Sequence, residues 1–189
     1  MEDLQKLLNP LLIKRNLMLA SLYLLAYEML VDTIITKLYD FYNLIVEHGK
    51  PVNNVDYKND VLSLDKKSPL FASCLWFMNA EAITESDVDD IRKIKKHRNM
   101  IAHELLTLLV EPDENINVSH FQQMRRLLQK IQGWWIANME SGVNPDLDGI
   151  EIDESEAHSI SLDLLDYLID ISLSITDSLP PKGDPFSVN

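Results

Sequence analysis

The sequence predicts an all-α fold, a single-domain antiparallel helical bundle, and two observations carry that prediction. Only five glycines occur in 189 residues, so few positions break a helix through backbone freedom alone. Long Leu-rich stretches repeat apolar residues at three- and four-residue intervals, the period of one helix face rather than the alternation of a strand. A chain of this length that is 46% hydrophobic buries one sizeable core, so one domain over residues 1–178 is expected, followed by a tail over 179–189.

The elements follow in order. A first helical region runs from Glu2 to about Glu47, bent or restarted near Asn9-Pro10, where proline lacks the N–H a helix interior needs. It stops at His48-Gly49-Lys50-Pro51. Within it, Asn16 to Tyr27 is uncharged and apolar behind Lys14 and Arg15, but Glu28 and Asp32 end the run short of the roughly 20 residues a membrane span needs. The run lacks a small-residue cleavage site, and its pattern continues as an amphipathic helix. The expectation is therefore the core helix of a soluble, cytoplasmic protein with no membrane partner.

Residues 52–68 are polar and read as a loop. A short apolar helix from Pro69 to about Ala80 carries Trp76 and Phe77, with Ser68 as N-cap and proline at the first helical position. Thr84 or Ser86 caps the next helix, whose acidic start at Glu85, Asp87, Asp89 and Asp90 suits the positive end of the helix dipole. That helix runs to about Leu109 and is stopped by Pro112.

A further helix spans about Val118 to Met139 behind Asn117 or Ser119, weakened mildly by Gly133. Residues 140–153 hold Gly142, Pro145 and Gly149 and form a loop. A last helix extends from about Ser155 to Ser178, and the tail from Leu179-Pro180-Pro181 onward is extended or disordered. There are no internal repeats. The single cysteine, Cys74, excludes an internal disulfide, disfavours a zinc site and reads as a buried small hydrophobe in a reducing compartment.

The helix before Pro112 is the one that points to chemistry. On a wheel of about 100° per residue, Val88, Ile91, Ile94, Ile101, Ala102, Leu105, Leu108 and Leu109 share one broad face, and Arg98 falls near its middle. A guanidinium on an apolar face must be paired and hydrogen-bonded. Asn99 and His103, four residues apart, line one edge of that face. Arg98 and His103 project about 140° apart on a straight helix, so they converge only if the arginine curls sideways or a second chain completes the site. The structural alternative is an Arg98 paired with Glu28 or Asp32 and a His103 that is a satisfied, partly exposed core histidine.

The segment Arg98-Asn99-Met100-Ile101-Ala102-His103-Glu104 resembles the signature of the HEPN domain family, in which Arg, a polar residue, three variable residues and His lie on one helix of an all-α bundle. The resemblance implies a HEPN-like bundle and a metal-independent endoribonuclease, frequently a toxin or defence effector, whose Arg and His meet where two protomers join. The alternative is a catalytically inactive module of the same family that binds nucleotide, RNA or a partner protein. On the catalytic reading the RNA's own 2'-hydroxyl attacks the phosphate, with neither metal nor cofactor. His103 is the general base or acid, since histidine titrates near neutrality. Arg98 stabilises charge growing on the phosphate oxygens, and Asn99 orients the phosphate or the imidazole. Lys95 and Lys96 are at most substrate contacts. Glu104 points about 100° away from His103 and is left out of the catalytic set.

The net charge of -13 contrasts with an RNA enzyme until its distribution is read. Residues 140–189 hold 12 acids and one base, while residues 1–139 hold 18 acids and 16 bases. Arg92, Lys93, Lys95, Lys96 and Arg98 crowd the turns that lead into the motif, either as a basic collar for phosphates or as a solvated helix face. The acidic last helix, with Asp163, Asp166 and Asp170 on one face, is either soluble surface or a shield or docking face for a basic partner such as an antitoxin or regulatory protein. Di-metal carboxylate chemistry needs Glu-x-x-His pairs, and no histidine here follows a glutamate at that spacing. No glycine-rich phosphate loop or nucleophile signature occurs. Trp134 and Trp135 can stack bases or serve as core and interface.

Overall fold

The computed structural model describes residues 10–43, 46–47, 50–51, 55–110, 116–140 and 159–177. Among them the fold is all-α: α1 Pro10–Asn43, α2 Pro69–Asn79, α3 Glu85–His103, α4 Leu105–Val110, α5 Ser119–Trp135 and α6 Ile160–Asp177. A two-residue antiparallel pair, β1 Val46–Glu47 and β2 Lys50–Pro51, follows α1 with Val46 opposite Pro51 and Glu47 opposite Lys50.

Helix α1 is central, touching each of the other five helices. Its buried row, which includes Leu19, Tyr23, Ala26, Leu30, Ile34 and Leu38, recurs every three or four residues, so one helix face meets the core from Asn16 to Leu38. Phe77 of α2, Ile91 and Ile94 of α3, Leu108 of α4, Phe121 and Leu127 of α5 and Leu165 of α6 close over that row. Each fully buried side chain of this size contributes about 1.5–3 kcal/mol. By length and composition alone α1 could cross a membrane, its most apolar 18-residue window having a mean hydropathy of 1.6.

Pro10 opens α1, and the part of the expected first helix before it lies outside the described residues. So do residues 141–158 and 178–189, which take in most of the expected loop after α5, the start of the expected last helix and the tail. Residues 52–68 are not loop throughout: a π-helical segment, Tyr57–Leu62, buries Tyr57 and Val61 one turn apart. The expected α5 reaches Trp135 and continues as a π-helical segment to Glu140. Neither Asn117 nor Ser119 is its N-cap. That position is Val118, and Asn117 Oδ1 instead accepts from the Ser119 backbone N–H at 3.1 Å and its hydroxyl at 2.7 Å.

The largest departure is in the motif helix, which does not run unbroken to Leu109. It ends at His103, Glu104 takes a non-helical ψ of 21°, and α4 restarts at Leu105. Pro112 is the residue four beyond Leu108 and has no N–H to give. Asn16 of α1 supplies the missing donor, its side-chain amide reaching the Leu108 carbonyl at 2.5 Å. The joint at Glu104 therefore sits between a helix anchored on the core by Ile101 and one anchored by Leu108 and Asn16.

Candidate functional site

Helix α3 is fixed at its start by a capping box. Thr84 Oγ1 accepts from the Asp87 backbone N–H at 3.3 Å, and Asp87 Oδ2 accepts from the Thr84 N–H at 2.9 Å. Asp87 is only 2% exposed and also takes Lys130 of α5 at 2.7 Å and Arg126 at 3.2 Å, while Arg126 reaches Asp90 at 2.8 Å. Burial alone would raise the Asp87 pKa, but the hydrogen bonds from Lys130 and Thr84 outweigh it and hold the carboxyl below its ordinary range. The start of α3 is thereby clamped to α5, which sets the direction in which its far end presents the motif.

Arg98 lies between Ile94 and Ile101 on the buried side of α3 and is itself only partly buried. Its side chain is 35% exposed and lies over the Tyr27 ring, its guanidinium carbon 5.4 Å from the centroid. Nη2 donates to Glu28 at 2.9 Å, and Nε is buried with no hydrogen-bond partner. Of the two carboxylates open as partners, Glu28 is the one used; Asp32 accepts from Thr36 instead. Burial, ahead of the opposing pull of Arg98, raises the Tyr27 pKa.

Asn99 and His103 are exposed, and His103 is the last residue of α3. Ala102, expected on the apolar face, is also exposed. No hydrogen bond, ion pair or ring contact joins Arg98 to His103 within the chain; the arginine is committed to α1. Glu104 is the C-cap residue at the joint.

The basic run is largely partnered. Arg92 pairs with Asp89 at 2.7 Å and Lys93 with Asp90 at 3.1 Å. Lys95 Nζ stands 4.8 Å from the Phe71 ring centroid, and Lys96 is exposed. On the acidic helix, Asp166 is held by Arg125 of α5 through Nε and, at 3.1 Å, through Nη2, so it serves the fold, whereas Asp163 and Asp170 are exposed. The tryptophans are core: Trp135 is buried, and Trp134 packs edge-on against Phe77 and Trp76.

A cluster that sequence reasoning missed lies one residue from Arg98. Tyr23, fully buried, donates its hydroxyl proton to the Ile94 carbonyl at 3.1 Å and stands 2.7 Å from His120 Nδ1. The hydroxyl has one proton, so His120 Nδ1–H is the donor in the second bond. His97 Nε2 accepts from the Asn117 backbone N–H at 2.9 Å and packs edge-on against both Tyr23 and His120. Burial, and then the neighbouring His120, pushes His97 down to about 4; burial also lowers His120. The only hint in the sequence was the adjacency of His97 to the motif. Burial pushes the Cys74 thiol up to about 12. Among the described residues no three His, Cys, Asp or Glu side chains group as metal ligands.

Comparison with family models, with curated proteins and with solved structures finds no match.

Proposed function

We propose that this chain is a metal-independent endoribonuclease of the HEPN type, of toxin or defence character, whose site is completed by a second copy of the chain. The observation that supports it is the arrangement at the end of α3: a partly open Arg98 held on α1, with Asn99 and His103 exposed and uncommitted to the core. Two such surfaces, one from each protomer, allow the arginine of one chain to work with the histidine of the other. A scissile phosphate replaces the Glu28 carboxylate on the Arg98 fork, since both are planar or tetrahedral oxyanions that a guanidinium binds through paired N–H groups.

The RNA 2'-oxygen then bonds to phosphorus and the bond to the 5'-oxygen breaks, leaving a 2',3'-cyclic phosphate and a 5'-hydroxyl. His103 takes the 2'-hydroxyl proton or returns one to the departing oxygen, Arg98 stabilises the equatorial oxygens, and Asn99 orients the phosphate. Lys96 and Lys95 contact flanking phosphates.

A second reading is favoured by the Arg98–Glu28 pair itself and by the net charge of -13: a catalytically silent module that binds nucleotide, RNA or a protein partner. Mixing two inactive variants separates them. If Arg98 and His103 act across a two-fold dimer, Arg98→Ala and His103→Ala proteins exchanged together regain roughly a quarter of wild-type cleavage, because half the dimers carry one intact site. No regain from the mixture, with wild type active, contradicts a shared site; no cleavage by wild type favours the silent module.

A further inference from the structure

The face of α1 turned away from the core is not simply polar. Leu11, Met18 and Leu25 recur every seven residues and are 67%, 39% and 46% exposed. At about 100° per residue they fall within about 40° of one another, opposite the row through Tyr23 and Leu30. Beside them runs a second exposed row at the same interval, Lys14, Ser21 and Glu28. The stripe is positive toward its start and negative toward its end, with a small side chain at the midpoint.

We infer that this stripe is an interface with a second copy of the chain, packed antiparallel about a two-fold axis at Ser21. A parallel pair would set Lys14 against Lys14 and Glu28 against Glu28. The antiparallel pair sets Lys14 against Glu28 of the partner subunit, twice, and brings Met18 beside Leu25 of the partner subunit. Like charges across an interface are repelled and opposite charges fix register, so the sequence of the stripe selects the antiparallel arrangement. Ser21 at the crossing lets the axes approach to about 8–10 Å, which with a Cα radius of about 2.3 Å leaves the two Ser21 Cα atoms about 3.5–5.5 Å apart. Lipid is the poorer occupant, because Lys14, Glu28 and Asp32 lie on the same stripe and a charge in hydrocarbon is costly.

The inference rests on the proposed function only for what the second copy does. Glu28 is the residue that holds Arg98, so Lys14 of the partner subunit competes for that carboxylate and loosens its grip on the arginine.

Cross-linking tests it without RNA. Ser21→Cys protein under mild oxidation forms a covalent dimer, at least about tenfold faster than Ser174→Cys on α6, in the distance range a disulfide accepts. Cys74 is fully buried and does not compete. In sedimentation equilibrium, Lys14→Glu and Glu28→Lys each raise the dimer Kd about tenfold, and the double exchange restores it, which loss of the internal Arg98 pair alone cannot do. Cross-linking no faster than the α6 control, or a double variant no better than either single one, overturns the inference. So does a monomer that floats with phosphatidylcholine vesicles. A cross-linked dimer that leaves RNA intact keeps this interface and removes the ribonuclease reading; cleavage by a protein whose Ser21→Cys form does not cross-link does the reverse.

Discussion

Lowering the pH from 7 to 5 should destabilise this fold through His97. In the folded chain His97 is pushed down to about 4 from an ordinary 6.5, by burial and by His120 beside it, and its Nε2 is occupied as an acceptor. The unfolded chain therefore binds a proton near pH 6.5 that the folded chain refuses until about pH 4. The stabilisation is fully present above pH 6.5 and falls as the pH drops toward 4. For two states with these pKa values the change between pH 7 and pH 5 is about 2 kcal/mol. Discounting for the ring's partial exposure leaves about 1 kcal/mol. Urea midpoints at half-unit steps over that window measure it, with His97→Gln as the comparison, since glutamine keeps an acceptor for the Asn117 N–H and does not titrate. The slope should fall in that variant. A flat profile in wild type, or an equal slope in both proteins, would refute the assignment.

Three further outcomes follow from the packing. Glu81 closes α2 with a positive φ of 63°, while the Ala82 and Glu81 N–H groups bond to the Phe77 and Met78 carbonyls; this is a Schellman turn, where glycine is preferred, so Glu81→Gly should stabilise by about 1 kcal/mol in urea unfolding. Tyr23→Phe leaves the buried His120 N–H without its acceptor, and the loss should be about 1–3 kcal/mol. Asp87→Ala removes the capping box and the Lys130 contact together, costing about 1–2 kcal/mol in thermal unfolding at neutral pH. Because the Asp87 pKa is lowered, its contribution is present above the ordinary carboxylate range and disappears as the pH falls through the folded value, so the two proteins should converge in acid.

Features set by neighbours in sequence were legible. Ser68-Pro69 starts α2 as those residues require, with Phe71 N–H donating to Ser68 Oγ at 3.4 Å, and Thr84 with Asp87 caps α3 through a local reciprocal bond. Features set by residues far apart in the chain were not. The anchoring of α4 after the break at Glu104 uses Asn16, which is 92 positions from the carbonyl it serves; nothing in Leu105 to Val110 signals that partner. The π-helical segment at Tyr57–Leu62 was hidden because only two of its residues face the core, too few to make a periodic pattern. At the site, wheel geometry separated Arg98 from His103, and the need to pair a guanidinium on an apolar face offered Glu28 or Asp32, but the ring of Tyr27 beneath the guanidinium and the Tyr23, His97 and His120 contacts come from the crossing of α1 with α3 and α5. The acidic face of α6 reads as free charge until Arg125 is placed against Asp166.

Incubating a mixed RNA pool with the purified protein in EDTA, beside Arg98→Ala and His103→Ala, tests whether Arg98 and His103 cleave RNA without metal. Wild type should cleave the pool, leaving fragments that end in 2',3'-cyclic phosphate, and each variant should lose at least about a hundredfold, the size of a general acid–base or charge-stabilising contribution. Cleavage that persists unchanged in both variants would contradict it.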